Sequence, residues 1–108
     1  MGRGRNDCLA LHFGGNLRAC RRHVRLSQEE LASRAGLHRT QIGLLEGGYR
    51  VPSIETLLRL AAGVEASEAR LLTGIDWVPS VERGRQGAFV FSAPLSPSML
   101  WRIEGEDA

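Results

Sequence analysis

A chain of 108 residues, 43% of them hydrophobic and 24% charged, fits one small globular domain with an arm or a tail to spare, and a second full domain is not expected. No stretch reaches the ~18 uncharged apolar residues of a membrane span. The opening Met1–Asp7 has no apolar core of a secretion signal, so a cytoplasmic protein is expected. The net charge of +2 hides a split: nine arginines stand against six glutamates over 10–74, but three arginines against five acids over 75–108. A basic front permits a polyanionic partner without demanding one. The chain has no lysine; all its fixed cations are arginine, the better two-pronged donor to phosphate and guanine, although the codon bias of a GC-rich genome gives the same composition.

Residues 1–8 read as a flexible arm, rich in Gly, Arg, Asn and Asp. Leu9, Phe13, Leu17, Cys20 and Val24 then recur at spacings of 4, 4, 3 and 4, a helical stripe. Gly14 and Gly15 interrupt it at a cost of up to ~1 kcal/mol each relative to Ala, so the helix is expected to begin near Phe13. Ser27-Gln28-Glu29-Glu30 has the spacing of a capping box, in which hydroxyl and carboxylate each satisfy a free backbone N–H. The helix it opens turns Leu31, Ala32 and Ala35 inward and ends at Gly36, which enters the left-handed region without steric cost. A second short helix runs from Arg39 to Glu46, with Ile42 and Leu45 inward, and stops at Gly47-Gly48. Ser53 caps a fourth helix with Ile54, Leu57, Leu58 and Ala61 on its apolar side and Gly63 at its end. Ser67 caps a last one holding Leu71 and Leu72, closed by Gly74. The expected fold class is all-α, five short helices in one unit over 9–74, followed by a tail over 75–108. In the tail, Ala88–Phe91 and Met99–Ile103 are runs of β-formers flanked by Pro79, Pro94 and Pro97; two short strands, paired as a hairpin, are expected there.

Gln28–Gly47 carries the functional signal. Two eight-residue helices joined by a short turn at Gly36, with a small Ala32 where they would cross, make helix-turn-helix geometry. With Ile42 and Leu45 committed inward, Arg39, Thr40, Gly43 and Leu44 point outward. An outward Arg at a helix front can take guanine O6 and N7 together. Leu44 suits a thymine methyl, or packs on the tail or a partner. Gly43 costs helix stability, which close approach to DNA compensates, or is simply tolerated. Gln28 stands where free N–H groups and the helix dipole favour a phosphate, or is a plain first-turn residue.

Leu26-Ser27-Gln28-Glu29-Glu30-Leu31-Ala32, Ala35-Gly36-Leu37, Ile42 with Leu45-Glu46-Gly47-Gly48, and Pro52–Ala61 together resemble the Cro and phage-repressor type of helix-turn-helix protein, the XRE family, over roughly 13–73. The resemblance implies a lambda-repressor-like DNA-binding domain and a transcriptional regulator of repressor type. The helix 39–46 would enter the major groove, with His38 at its N-cap and Arg39, Thr40, Gly43 and Leu44 toward base edges. Gln28 would hold the DNA backbone. It further implies a pair between Arg21 and Glu46 that fixes two helices, and a dimer on a pseudo-palindromic operator. Gly48, Tyr49 and Arg50, just past the recognition helix, would brace phosphates, although Tyr49 could equally be a packing residue. The sequence departs from the family at His38, a weaker cap than the usual Ser or Thr.

Cys8, His12, Cys20 and His23 have metal-binding chemistry. On one straight helix, however, the two cysteines stand roughly 18 Å apart and about 120° around the axis, so no metal and no cofactor are expected. No motif of nucleophile, phosphate loop or paired carboxylates points to an enzyme. The expected partners are double-stranded DNA and a second copy, the latter contacted through Phe89, Phe91, Leu100, Trp101 and Ile103 of the tail. The alternatives are an antitoxin, whose tail binds a toxin, and an interaction module that has lost DNA binding.

Overall fold

The structure is a computed structural model that describes residues 6–93. Among these residues the chain forms α1 (Asn6–His23), α2 (Gln28–Ala35), α3 (Arg39–Glu46), α4 (Ile54–Gly63), α5 (Glu68–Leu71) and two strands, β1 (Ile75–Val78) and β2 (Ala88–Phe91). No helix of the described residues is long and apolar enough to cross a membrane.

The caps explain the breaks. Ser27 Oγ accepts from Glu30 N–H at 3.0 Å while Ser27 N–H donates to Glu30 Oε1 at 2.8 Å, so both halves of the box are present. Ser53 and Ser67 accept in the same way from Thr56 and Arg70. Gly36 takes φ +70° at the end of α2, and Leu37 N–H turns back onto Ala32 O at 2.9 Å. Arg59, from α4, donates to the Gly36 carbonyl at 3.1 Å and so serves the C-terminus of α2 from outside.

One core holds the five helices together. Phe13, Leu17 and Cys20 of α1 meet Leu31, Ala32 and Ala35 of α2, Ile42 and Leu45 of α3, Leu60 and Ala61 of α4, and Val64 and Leu71 behind them. Fully burying a Leu, Ile or Phe side chain contributes about 1.5–3 kcal/mol, and seven of these residues are of that kind.

The helix begins at Asn6, not near Phe13, and runs through both glycines. Gly14 is a contact residue: a Cβ there would lie 2.5 Å from Leu45 O and 2.6 Å from Glu46 O. The missing side chain lets α1 lie directly on the end of α3, and that packing offsets its helix penalty. Residues 6–8, assigned to the arm, are therefore helical, and 1–5 lie outside the described residues.

The inward face of α4 also differs from expectation. Ile54 is 77% exposed and Leu58 51%; the helix instead buries Leu60 and Ala61 and packs Leu57 on the core. Of the four residues read as one apolar face, Leu57 and Ala61 are on the core, while Ile54 and Leu58 face outward and Leu60 fills the inner side. Gly63 is the last residue of the helix, as expected; Val64 is its C-cap, and the chain turns at Glu65, φ +58°.

Ala88–Phe91 is a strand as expected, but its antiparallel partner is Ile75–Val78, with Ile75 opposite Phe91 and Trp77 opposite Phe89. The alternation Ile75-Asp76-Trp77-Val78 carried that signal and was overlooked beside the stronger apolar runs. Met99–Ile103 lies outside the described residues. The hairpin is fastened to α1 at its root: Asn16 Nδ2, fully buried, donates to Leu71 O (2.9 Å) and Thr73 O (2.8 Å), and the His12 ring stacks on Phe91.

Candidate nucleic-acid interface

Glu46 organises the site from within. It is 4% exposed, and its carboxylate takes Arg21 Nε at 2.5 Å, Arg21 Nη2 at 3.0 Å and Gln28 Nε2 at 3.1 Å. Arg18 Nε adds a cation 3.5 Å from Oε1, and Arg21 Nη1 donates to Leu26 O at 2.8 Å. Burial by itself raises the carboxyl's pKa. The hydrogen bonds of Arg21 and Gln28 and the charges of Arg21 and Arg18 outweigh that and hold it below the ordinary value of 4.5. The expected Arg21–Glu46 pair is thus present, and it joins α1, the start of α2 and the end of α3 through one carboxylate. Arg18 was missed by sequence reasoning, since nothing in its spacing separates it from the other outward arginines of α1.

α3 is held by its inner side and bare on its outer one. Ile42 is fully buried and Leu45 4% exposed, whereas His38, Arg39 and Thr40 at its front are exposed. The Arg39, Thr40 and Arg50 side chains make no hydrogen bond or ion pair among the described residues. The weak cap at His38 is reinforced by a residue the sequence reading passed over: Gln41 Oε1 accepts from His38 N–H at 3.0 Å. The spacing His38-x-x-Gln41 is that of a capping box, and could have been found.

The remaining candidates fall in different places. Gly43 is half-buried, but a Cβ there would meet nothing within 4 Å. Leu44 is half-buried rather than fully outward and does not join the core. Gln28, half-buried, has its amide nitrogen turned to Glu46, so a phosphate at this end of α2 would meet backbone N–H groups first. Gly48 is buried against Leu11 with φ +80°, and its N–H donates to Leu45 O at 3.3 Å, so it shapes the turn that presents Tyr49 and Arg50. Tyr49 is 64% exposed and lies over Gly47, and Arg50 is exposed beside it. The α1 histidines and cysteines do not converge: Cys20 is in the core and Cys8 at the surface of the same helix. The described residues hold no group of three or more potential metal ligands.

A short rod propped from behind, with an Arg and a Thr at its bare front, is the shape that a major groove accepts. Residues 12–74 match the family model described as a helix-turn-helix domain. The chain belongs to that family. More narrowly, it is a Cro/C1-type, XRE-like protein, a class of DNA-binding transcriptional regulators. It is 45% identical over 58 residues to the control protein C.SmaI of Serratia marcescens, covering 54% of this chain and 69% of that one. It is similar to the crystal structure of the restriction-modification controller protein C.AhdI of Aeromonas hydrophila, at 36% identity and TM-score 0.58, covering 59% of this chain and 97% of that one. The DNA-binding domain of the P22 c2 repressor gives 28% identity and TM-score 0.54, over 56% of this chain and 79% of that one.

Proposed function

We propose that this regulator reads duplex DNA with the front of α3 in the major groove and represses from an operator with two-fold symmetry. The observation that carries the reading is the bare front of α3: Arg39 and Thr40 have no partner among the described residues, while the back of the same helix is fastened by Ile42, Leu45 and Glu46. In this arrangement Arg39 takes a guanine edge and Arg50 a phosphate, and Leu44 and Gly43 lie nearest the bases. The amides opening α2 meet the flanking backbone, with Gln28 held in place by Glu46.

One module of this size buries about 600–1,000 Å² of protein surface on DNA, too little for tight specific binding alone. A second copy supplies the rest. Val51, just before α4, and Ile54 and Leu58 on its outer side are exposed and form an apolar row suited to that contact. The two relatives named as controllers make control of a restriction-modification system the more specific form of this reading.

Selection of bound duplexes from a random pool tests the proposal. A recovered site with two-fold symmetry is expected, and Arg50→Ala should weaken binding to every sequence alike and lower the salt slope by about 1. A pool that never enriches at low salt overturns it. Ile54→Glu should dissociate the dimer in sedimentation without unfolding the monomer.

A further inference from the structure

Two glutamines near the interface are spent in opposite ways. Gln28 gives its amide nitrogen to Glu46 Oε1 at 3.1 Å and keeps its oxygen, whereas Gln41 gives its oxygen to His38 N–H at 3.0 Å and keeps its nitrogen. Chemistry fixes the orientation at Gln41: a backbone N–H only donates, so the arm of the amide that faces it is the acceptor. The planar amide carries Nε2 on its other arm, and that nitrogen has no hydrogen-bond partner among the described residues. A side chain that in general both donates and accepts is thereby reduced to a donor. It is closed to the paired contact of glutamine with adenine, which needs both atoms.

Gln41 also stands apart from the outer face of α3. At about 100° per residue, Thr40 and Leu44 lie opposite the buried Ile42, and Gln41 lies on the flank between the two sides. There it lines a hollow of about 210 Å³ together with Arg50, Ser53, Thr56 and the buried Leu45. The hydroxyls of Ser53 and Thr56 are bonded to each other at 3.1 Å. No carboxylate lines the hollow, and Glu55, beside Thr56 in the chain, is paired with Arg59 at 2.9 Å. Gln41 Nε2 and the Arg50 guanidinium are thus two donors on one hollow, neither with a partner among the described residues.

We infer that Gln41 and Arg50 hold one phosphate of the DNA backbone between them at this hollow, and that Gln41, rather than Gln28, is the glutamine whose side chain grips the backbone. A phosphate oxygen accepts, so it matches the Gln41 nitrogen and finds no donor in the remaining oxygen of Gln28. The bond to His38 holds the donor in place before DNA arrives, so less freedom is lost on binding. The contact rests on the reading of α3 as the groove-binding helix and adds register to it: a phosphate fixed beside the first turn sets how Arg39 and Thr40 lie over the bases.

Binding of the full chain to the selected duplex and to a random one, with urea unfolding alongside, tests this. Gln41→Met removes both donor and cap; Gln41→Glu removes the donor but keeps an oxygen for His38 N–H. Both should weaken binding about 10- to 100-fold on the two duplexes alike, and Gln41→Glu should unfold no more easily than the unaltered chain. Gln41→Met should leave the salt slope unchanged, since no charge is lost, whereas Arg50→Ala lowers it by about 1. Each phosphate of the duplex is then replaced in turn by an uncharged methylphosphonate. One replacement should weaken the unaltered chain several-fold more than it weakens Gln41→Met or Arg50→Ala. Losses that match at every phosphate for Gln41→Met and the unaltered chain overturn the inference and leave Gln41 a cap. A loss confined to the selected duplex overturns it in favour of base reading. Duplex binding that responds to Arg50→Ala but to neither Gln41 variant overturns this inference alone; no binding to any duplex overturns the reading of α3 with it.

Discussion

The two ends of α3 follow opposite rules. At Glu46 every strong polar group is spent inside the molecule, on two arginines and an amide. Seven residues earlier, Arg39 and its neighbour Thr40 spend nothing among the described residues. A helix of eight residues has no stability of its own in water. It can hold its front out only because its back is fastened, and the contrast separates the part that sets stability from the part that sets affinity.

The sharpest way to break that contrast is at the fastened end. Glu46→Ala leaves the Arg21 guanidinium buried with no counter-charge and only the Leu26 carbonyl as partner, and should destabilise the fold by about 3–5 kcal/mol, a large share of a small domain's total. Urea unfolding measures this directly. A loss below about 1 kcal/mol would mean that α3 is held by its apolar residues alone. Acid tests the same carboxylate more gently. Because its folded pKa lies below 4.5, the stabilisation is fully present above that value and is lost as the pH falls from 4.5 through the lower folded pKa. Glu46→Gln should flatten the stability–pH curve over that window; an unchanged curve would put the acid sensitivity elsewhere.

At the open end the expectation reverses. Arg39→Ala should leave urea unfolding within about 0.5 kcal/mol of the unaltered chain. It should cost about 1–3 kcal/mol in binding the selected site and relax one base position. Equal losses on selected and random duplexes would demote Arg39 from base reading to plain charge.

What the sequence made legible follows the same division. The helix ends could be read because each rests on a local device: Ser27 with Glu30, Ser53, Ser67, and Gly36 with its positive φ. Arg21 and Glu46 were found through the family pattern. Features set by distant packing were not legible. Gly14 looks like a helix breaker until α3 is seen lying against it, and the row Ile54–Leu58 looks like a core face until Leu60 takes that place. Gln28 had a helix-opening position to recommend it for phosphate, but its bond to a carboxylate eighteen residues away leaves no trace in local spacing. The strand Ile75–Val78 was visible as alternation and lost to longer apolar runs.

Gly43 sits between the two ends, and the smallest expected effect there is also the most discriminating. A glycine inside a helix costs about 0.5–1 kcal/mol relative to alanine. Gly14 offsets that cost with a backbone contact inside the molecule, but a methyl at Gly43 would touch nothing within 4 Å. If the cost serves only the free protein, Gly43→Ala should be neutral or beneficial in every assay. If it serves DNA, the same methyl should raise stability by about 0.5–1 kcal/mol and weaken specific binding, because the helix can no longer approach the bases as closely. Opposite signs in the two measurements on one variant are therefore expected. A variant that is both more stable and equally tight on its operator would remove Gly43 from the interface and leave the reading to Arg39 and Thr40.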